Sequence, residues 1–118
     1  MNTPSHLEIT EYGNTYRVYT VIDTYEMYKN LYVGLICPTE GPFADLTVNI
    51  AKLPAGHAAV DVNNCPWAEK FIKDNHLGEA TGEMLESGFC CYPTYKFDME
   101  MLKKYLFEGF DKEKELLP

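Results

Sequence analysis

The 118-residue sequence has no run of about 18 apolar residues, so no membrane-spanning helix is expected. Its opening, MNTPSHLEITEYG, lacks a basic start followed by an apolar stretch. No secretory signal is expected there, and we read the protein as cytoplasmic. In that compartment the four cysteines are expected to serve as thiols, ligands or a reactive group rather than as a disulfide framework. Also missing are a Gly-rich phosphate loop, HExxH, G-x-S-x-G and a paired CxxC. With none of these the chain is not expected to be an enzyme.

Basic residues are scarce as well. Ten Lys and Arg face 18 Asp and Glu, a net charge of -8, which opposes attraction to a phosphate backbone. Direct nucleic-acid binding is therefore not expected. The acidic surplus could serve solubility, match a basic protein groove, or imitate the phosphate backbone, although the carboxylates are dispersed rather than ranked in blocks.

What is present fits one folded domain over residues 1–118, with short frayed ends. Apolar residues make up 46% of the chain and aromatics 14%, too rich for a disordered segment. Residues 16–22 are strand formers after a Gly13-Asn14 turn, and Leu31, Val33, Leu35 and Cys37 alternate in a second strand after a Lys29-Asn30 turn. A helix over 24–32 is the alternative for that region. Leu46, Val48 and Ile50 mark a third strand with a polar outer face, following a break at 38–42. Ala58, Val60 and Val62 mark a fourth, with His57, Ala59, Asp61 and Asn63 opposite.

From Asn64-Cys65-Pro66 a helix is predicted through Asn75, stopped by Gly78. Residues 80–95 allow one or two short strands, and Asp98 caps a last helix striped by Met101, Leu102, Tyr105 and Leu106. The tail after Phe110 is expected to fray. The fold class predicted is α+β, an antiparallel meander of about four to six strands with two helices packed on one face.

Three cysteines and two histidines raise the question of zinc. Cys65 and His76 fall at opposite ends of the predicted helix, about 16 Å apart, so they do not share an ion. Cys90 and Cys91 point to opposite faces if extended. The remaining candidate site joins Cys65 to Cys90 (or Cys91), completed by Asp61, His57 or Asn63. Two thiols in packing contact are the plain alternative. Cys65 at a helix start is also a candidate nucleophile, since the helix dipole lowers a thiol's pKa, with a buried corner residue as its alternative. His6 and Cys37 sit in no ligand pattern. Six tyrosines, Tyr12, Tyr16, Tyr19, Tyr25, Tyr28 and Tyr32, crowd the first two strands, where they either form a contact face or tip a half-buried sheet.

The run Asp61-Val-Asn63-Asn64-Cys65-Pro66, with Ala68-Glu69, Phe71-Ile72, Leu77-Gly78, Thr81-Gly82, Ser87-Gly88-Phe89-Cys90 and Tyr92-Pro93-Thr-Tyr95, resembles a family of small uncharacterised domains carried by bacterial phages and conjugative elements. The strand at 46–49 fits it too, whereas Cys91 and His76 depart from it. The resemblance implies a small α+β fold and a mobile-element accessory role. It points most specifically to a type II anti-CRISPR protein that binds a Cas9-type nuclease and blocks loading of guide or target. A structural zinc-binding accessory module is the alternative.

Overall fold

The structure, a computed structural model, describes residues 5–109. It contains ten elements: β1 Leu7–Glu11, β2 Asn14–Thr24, β3 Leu31–Cys37, β4 Gly41–Asp45, β5 Thr47–Val48, β6 His57–Val60, α1 Ala68–Asp74, β7 Gly78–Ser87, β8 Cys90–Phe97 and α2 Met99–Lys104. The strands form two antiparallel four-stranded sheets, ordered β1-β2-β3-β4 and β5-β6-β8-β7. This corrects the expected single sheet with two helices on one face. With seven and six residues, the helices are only about 10 Å long and cannot roof a sheet. They also serve different sheets, α1 touching β7 and α2 touching β2. Buried residues of both sheets and both helices instead join in one core.

The two sheets are stitched by one extended segment. Residues 41–45 pair with β3, and beyond Leu46 the chain turns to pair with β6. At the crossing, the Leu46 amide donates to the Val33 carbonyl (2.9 Å) and the Asp61 amide to the Leu46 carbonyl (2.8 Å). Thr47, predicted on a polar face, is buried, because its hydroxyl meets the Val33 amide (3.2 Å) and the Tyr25 phenol (3.0 Å). A buried hydroxyl with two partners no longer demands solvent.

One core spans both layers. Val18, Val33 and Leu35 from the first sheet meet Val60, Tyr95 and Phe97 from the second, with Ile72 of α1 and Leu102 of α2. After α2 the chain returns to the first sheet, where Thr20 bonds to Tyr105 and Phe107 through both its amide and its carbonyl (2.8 Å each). β1, a strand not expected from the sequence, pairs with the first half of β2. Its LEITE alternation was too short and too charged to stand out.

Helix α1 begins at Ala68, three residues after Cys65, and its stop differs from the expected glycine. His76 takes the left-handed conformation (φ 56°), and bonds from His76 to Lys73 (3.2 Å) and from Leu77 to Ile72 (2.9 Å) close the Schellman pattern. Gly78 is reserved for another purpose. A Cβ there would lie 2.9 Å from the Lys96 carbonyl oxygen across the β7–β8 pairing. The expected Asp98 cap is present, its carboxylate accepting from the Glu100 and Met101 amides (3.1 Å each). The tail beyond Phe110 lies outside the described residues.

Candidate functional site: the Asp61 turn and the β7–β8 arm

Asp61 is buried, and its carboxylate is held by its own turn, accepting from the Asn64 amide (3.2 Å) and side-chain amide (2.8 Å). Its carbonyl takes the Cys65 amide (2.9 Å). Cys65 is buried in turn, with its thiol directed at the Asp45 carbonyl (3.8 Å). Burial, reinforced by Asp61 and Asp45, pushes this thiol up to about 11. A thiol held protonated is a poor nucleophile, which agrees with the buried corner residue rather than the nucleophile as the reading of Cys65. The helix begins only at Ala68, and the negative charges of Asp61 and Asp45 act on the thiol.

Cys90 faces a different neighbour. It is half-buried on β8, and contact with it raises the pKa of the Tyr92 phenol, which also meets the Asn63 side chain. Cys91 is exposed, and His57 turns its ring nitrogen to the Ala55 carbonyl of its own turn (3.2 Å). Among the described residues no group of three or more His, Cys, Asp and Glu is gathered where it could hold a metal ion. Cys65 and Asp61 are thus neighbours, but Cys90 does not complete a three-donor cluster with them.

Two clefts flank this region. One of about 340 Å³ is lined by Tyr12, Phe43, Asp45, Asp61, Cys65 and Trp67, and the buried Trp67 Nε1 beside it has no hydrogen-bond partner. The other, about 630 Å³, lies between the end of α1 and the β7–β8 base, lined by Lys73, His76, Glu79, Lys96 and Asp98. His76 and Cys65 therefore line separate clefts, as their sequence separation implied.

The tyrosines divide rather than forming one face. Tyr19 is buried in the core, while Tyr25 and Tyr32 pack edge to face (5.6 Å) with their phenols on Thr47 and Asp45. Burial and the acceptor at Asp45 hold the Tyr32 phenol well above its ordinary value. Tyr12 and Tyr28 alone of the six stand at turn tips in the open, both with left-handed backbone.

The hairpin of β7 and β8, with strands of ten and eight residues, is longer than the one or two short strands expected. Its paired register is interrupted once, between Ala80 opposite Tyr95 and Met84 opposite Pro93, so Thr81, Gly82 and Glu83 bulge against Thr94 alone. Thr94 clamps the bulge, hydrogen-bonding the Thr81 hydroxyl and donating to the Glu83 carbonyl (3.2 Å), while the Glu83 amide donates to Thr81 Oγ1 (3.1 Å). Beyond it the strands leave the core, with Met84 56% and Phe89 fully exposed. Sequence reading missed this arm because its Gly82, Gly88 and Pro93 look like strand breakers. The legible signals were a Ser-Gly-Phe-Cys turn and a segment without basic residues.

A small domain of two four-stranded sheets, with no group of three or more metal-ligating side chains gathered among its described residues, is what this geometry defines. The family model described as Domain of unknown function (DUF4313) matches residues 20–115, and the chain belongs to that family. The match takes in the Asp61 turn and the whole arm. No curated protein and no solved structure matches the chain.

Proposed function

We propose that this domain acts by binding another protein, as an accessory protein of a phage or other mobile element, and that its target is the basic nucleic-acid channel of a Cas9-type nuclease. The observation that carries the binding reading is the set of large apolar side chains left uncovered on a chain with net charge -8: Phe89, Tyr12 (75% exposed) and Met27 (65%) at turns, and Met84 (56%) on β7. Exposed aromatic and Met residues are typical anchors of protein interfaces, and a negative surface speeds encounter with a positive one. The choice of nuclease comes from the resemblance of residues 59–95 to domains carried by mobile elements, which is analogy and not chemistry. Occupying the channel would exclude guide or target without any bond being made or broken.

Cleavage assays with a panel of purified Cas9-type nucleases test this. The expected result is co-elution with at least one nuclease and slowed target cleavage, both weakening as salt is raised. Neither co-elution nor inhibition across the panel overturns it.

A further inference from the structure

We infer that the distal half of the β7–β8 hairpin is the docking element, inserting Phe89 into an apolar pocket rimmed by Lys and Arg on the partner; this rests on the protein-binding reading above. The turn itself is the first argument. Ser87 and Cys90 close a two-residue loop in which Gly88, at φ 63°, takes the first central position and Phe89 the second. That is the pattern of a type II′ hairpin turn, which needs glycine first and asks nothing apolar of the second residue. Phe89 is completely exposed, so its ring adds nothing to the fold.

A lone exposed ring is ordinary, but this one has company. Cross-strand pairing puts Met84 with Pro93, and Glu86 with Cys91, on one face of the arm, and Met84, Glu86 and Cys91 are all exposed. The opposite face is partly covered, since Leu85 and Tyr92, paired across the strands, are both half-buried. With the Thr94 clamp at its base, the arm is held in place before any partner arrives, which lowers the ordering cost of binding. It therefore presents an apolar tip and a mixed face on a fixed stalk.

Charge selects the partner. Between Gly78 and Tyr95 the chain has Glu79, Glu83 and Glu86 and no Lys, Arg or His. β7 is the outer strand of its sheet, so a second copy pairing along it would bring glutamates against glutamates. A nucleic acid is opposed by the same sign. An apolar pocket with a basic rim satisfies both the ring and the carboxylates.

The test uses the full chain and a Cas9-type nuclease that co-elutes with it. Phe89→Ala is expected to weaken binding at least about tenfold with unchanged melting, as loss of a central anchor does. Glu83→Lys with Glu86→Lys is expected to slow association and flatten its salt dependence. Binding of Phe89→Ala within roughly twofold of the unmodified chain overturns the arm while leaving the binding reading intact. Failure of the unmodified chain to bind any nuclease of the panel overturns that reading and the arm with it.

Discussion

On either side of the Thr94 bulge, one hairpin behaves as two different objects. Toward the base, Tyr95 and Phe97 are buried in the shared core, and the Tyr95 phenol donates to Glu69 of α1 (2.6 Å). Toward the tip, Met84 and Phe89 are in solvent and every residue from Glu86 to Phe89 is exposed. The pairing register is continuous within each half, so backbone hydrogen bonding does not distinguish them. What differs is whether a second layer covers the side chains. Stability resides in the base, and surface available to a partner resides in the tip.

That division can be broken by substitution. Tyr95→Ala removes a fully buried ring from the base and is expected to cost about 3–5 kcal/mol in urea denaturation. Gly78→Ala forces a Cβ against the Lys96 carbonyl and is expected to cost about 1–3 kcal/mol, because backbone rather than a yielding side chain stands in the way. If either variant melts like the unmodified chain, the base does not carry the fold.

The body also has a titration signature. The Cys65 thiol is raised from 9.0 to about 11 in the fold, so above pH 9 the unfolded chain loses its proton first and binds fewer protons than the native one. Stability therefore falls as pH rises from about 9 to about 11, by on the order of 1–2 kcal/mol from this group. Denaturation midpoints across that range, with Cys65→Ala showing a shallower decline, check the assignment. In the same preparations a thiol reagent at neutral pH is expected to modify the exposed Cys91 well before Cys65 or Cys37, both of which are buried.

Smaller effects sharpen the boundary. Thr94→Val keeps the shape but removes the clamp, and about 1 kcal/mol is expected to be lost along with faster amide exchange over residues 84–92. Phe89→Ala is expected to change stability by less than about 0.5 kcal/mol in either direction. A larger loss would mean that the tip packs on something.

Much of this plan was legible in the residues, and the failures have physical causes. β2 was readable from its β-branched and aromatic residues and β3 from the alternation of Leu31, Val33, Leu35 and Cys37, although the left-handed turn residues are Tyr28 and Lys29, one position earlier than the Lys29-Asn30 turn expected. Asn30 is instead buried, its side chain bonded to Asn49, the Ala51 carbonyl and the Leu53 amide. The second sheet was hidden because alternation shows one face of a strand and not which layer covers it. Ala59, placed on a polar face, is buried because β6 is covered on both sides. The arm was hidden by punctuation. Gly82 sits in the bulge and Gly88 in the turn, while Pro93 lies one residue past the last β6–β8 pair at Thr94, where no sheet partner needs its missing N–H. For the candidate site, the sequence placed Asp61 four residues before Cys65, but it could not show that Asn64 satisfies the carboxylate or that Cys90 lies against Tyr92.

Amide hydrogen exchange of the chain alone and in complex with a bound Cas9-type nuclease tests the division most directly. The account predicts new protection concentrated in residues 84–92, with the turns at Tyr12 and Tyr28 unchanged. Protection at those turns, with the arm exchanging as it does in the free chain, would contradict it.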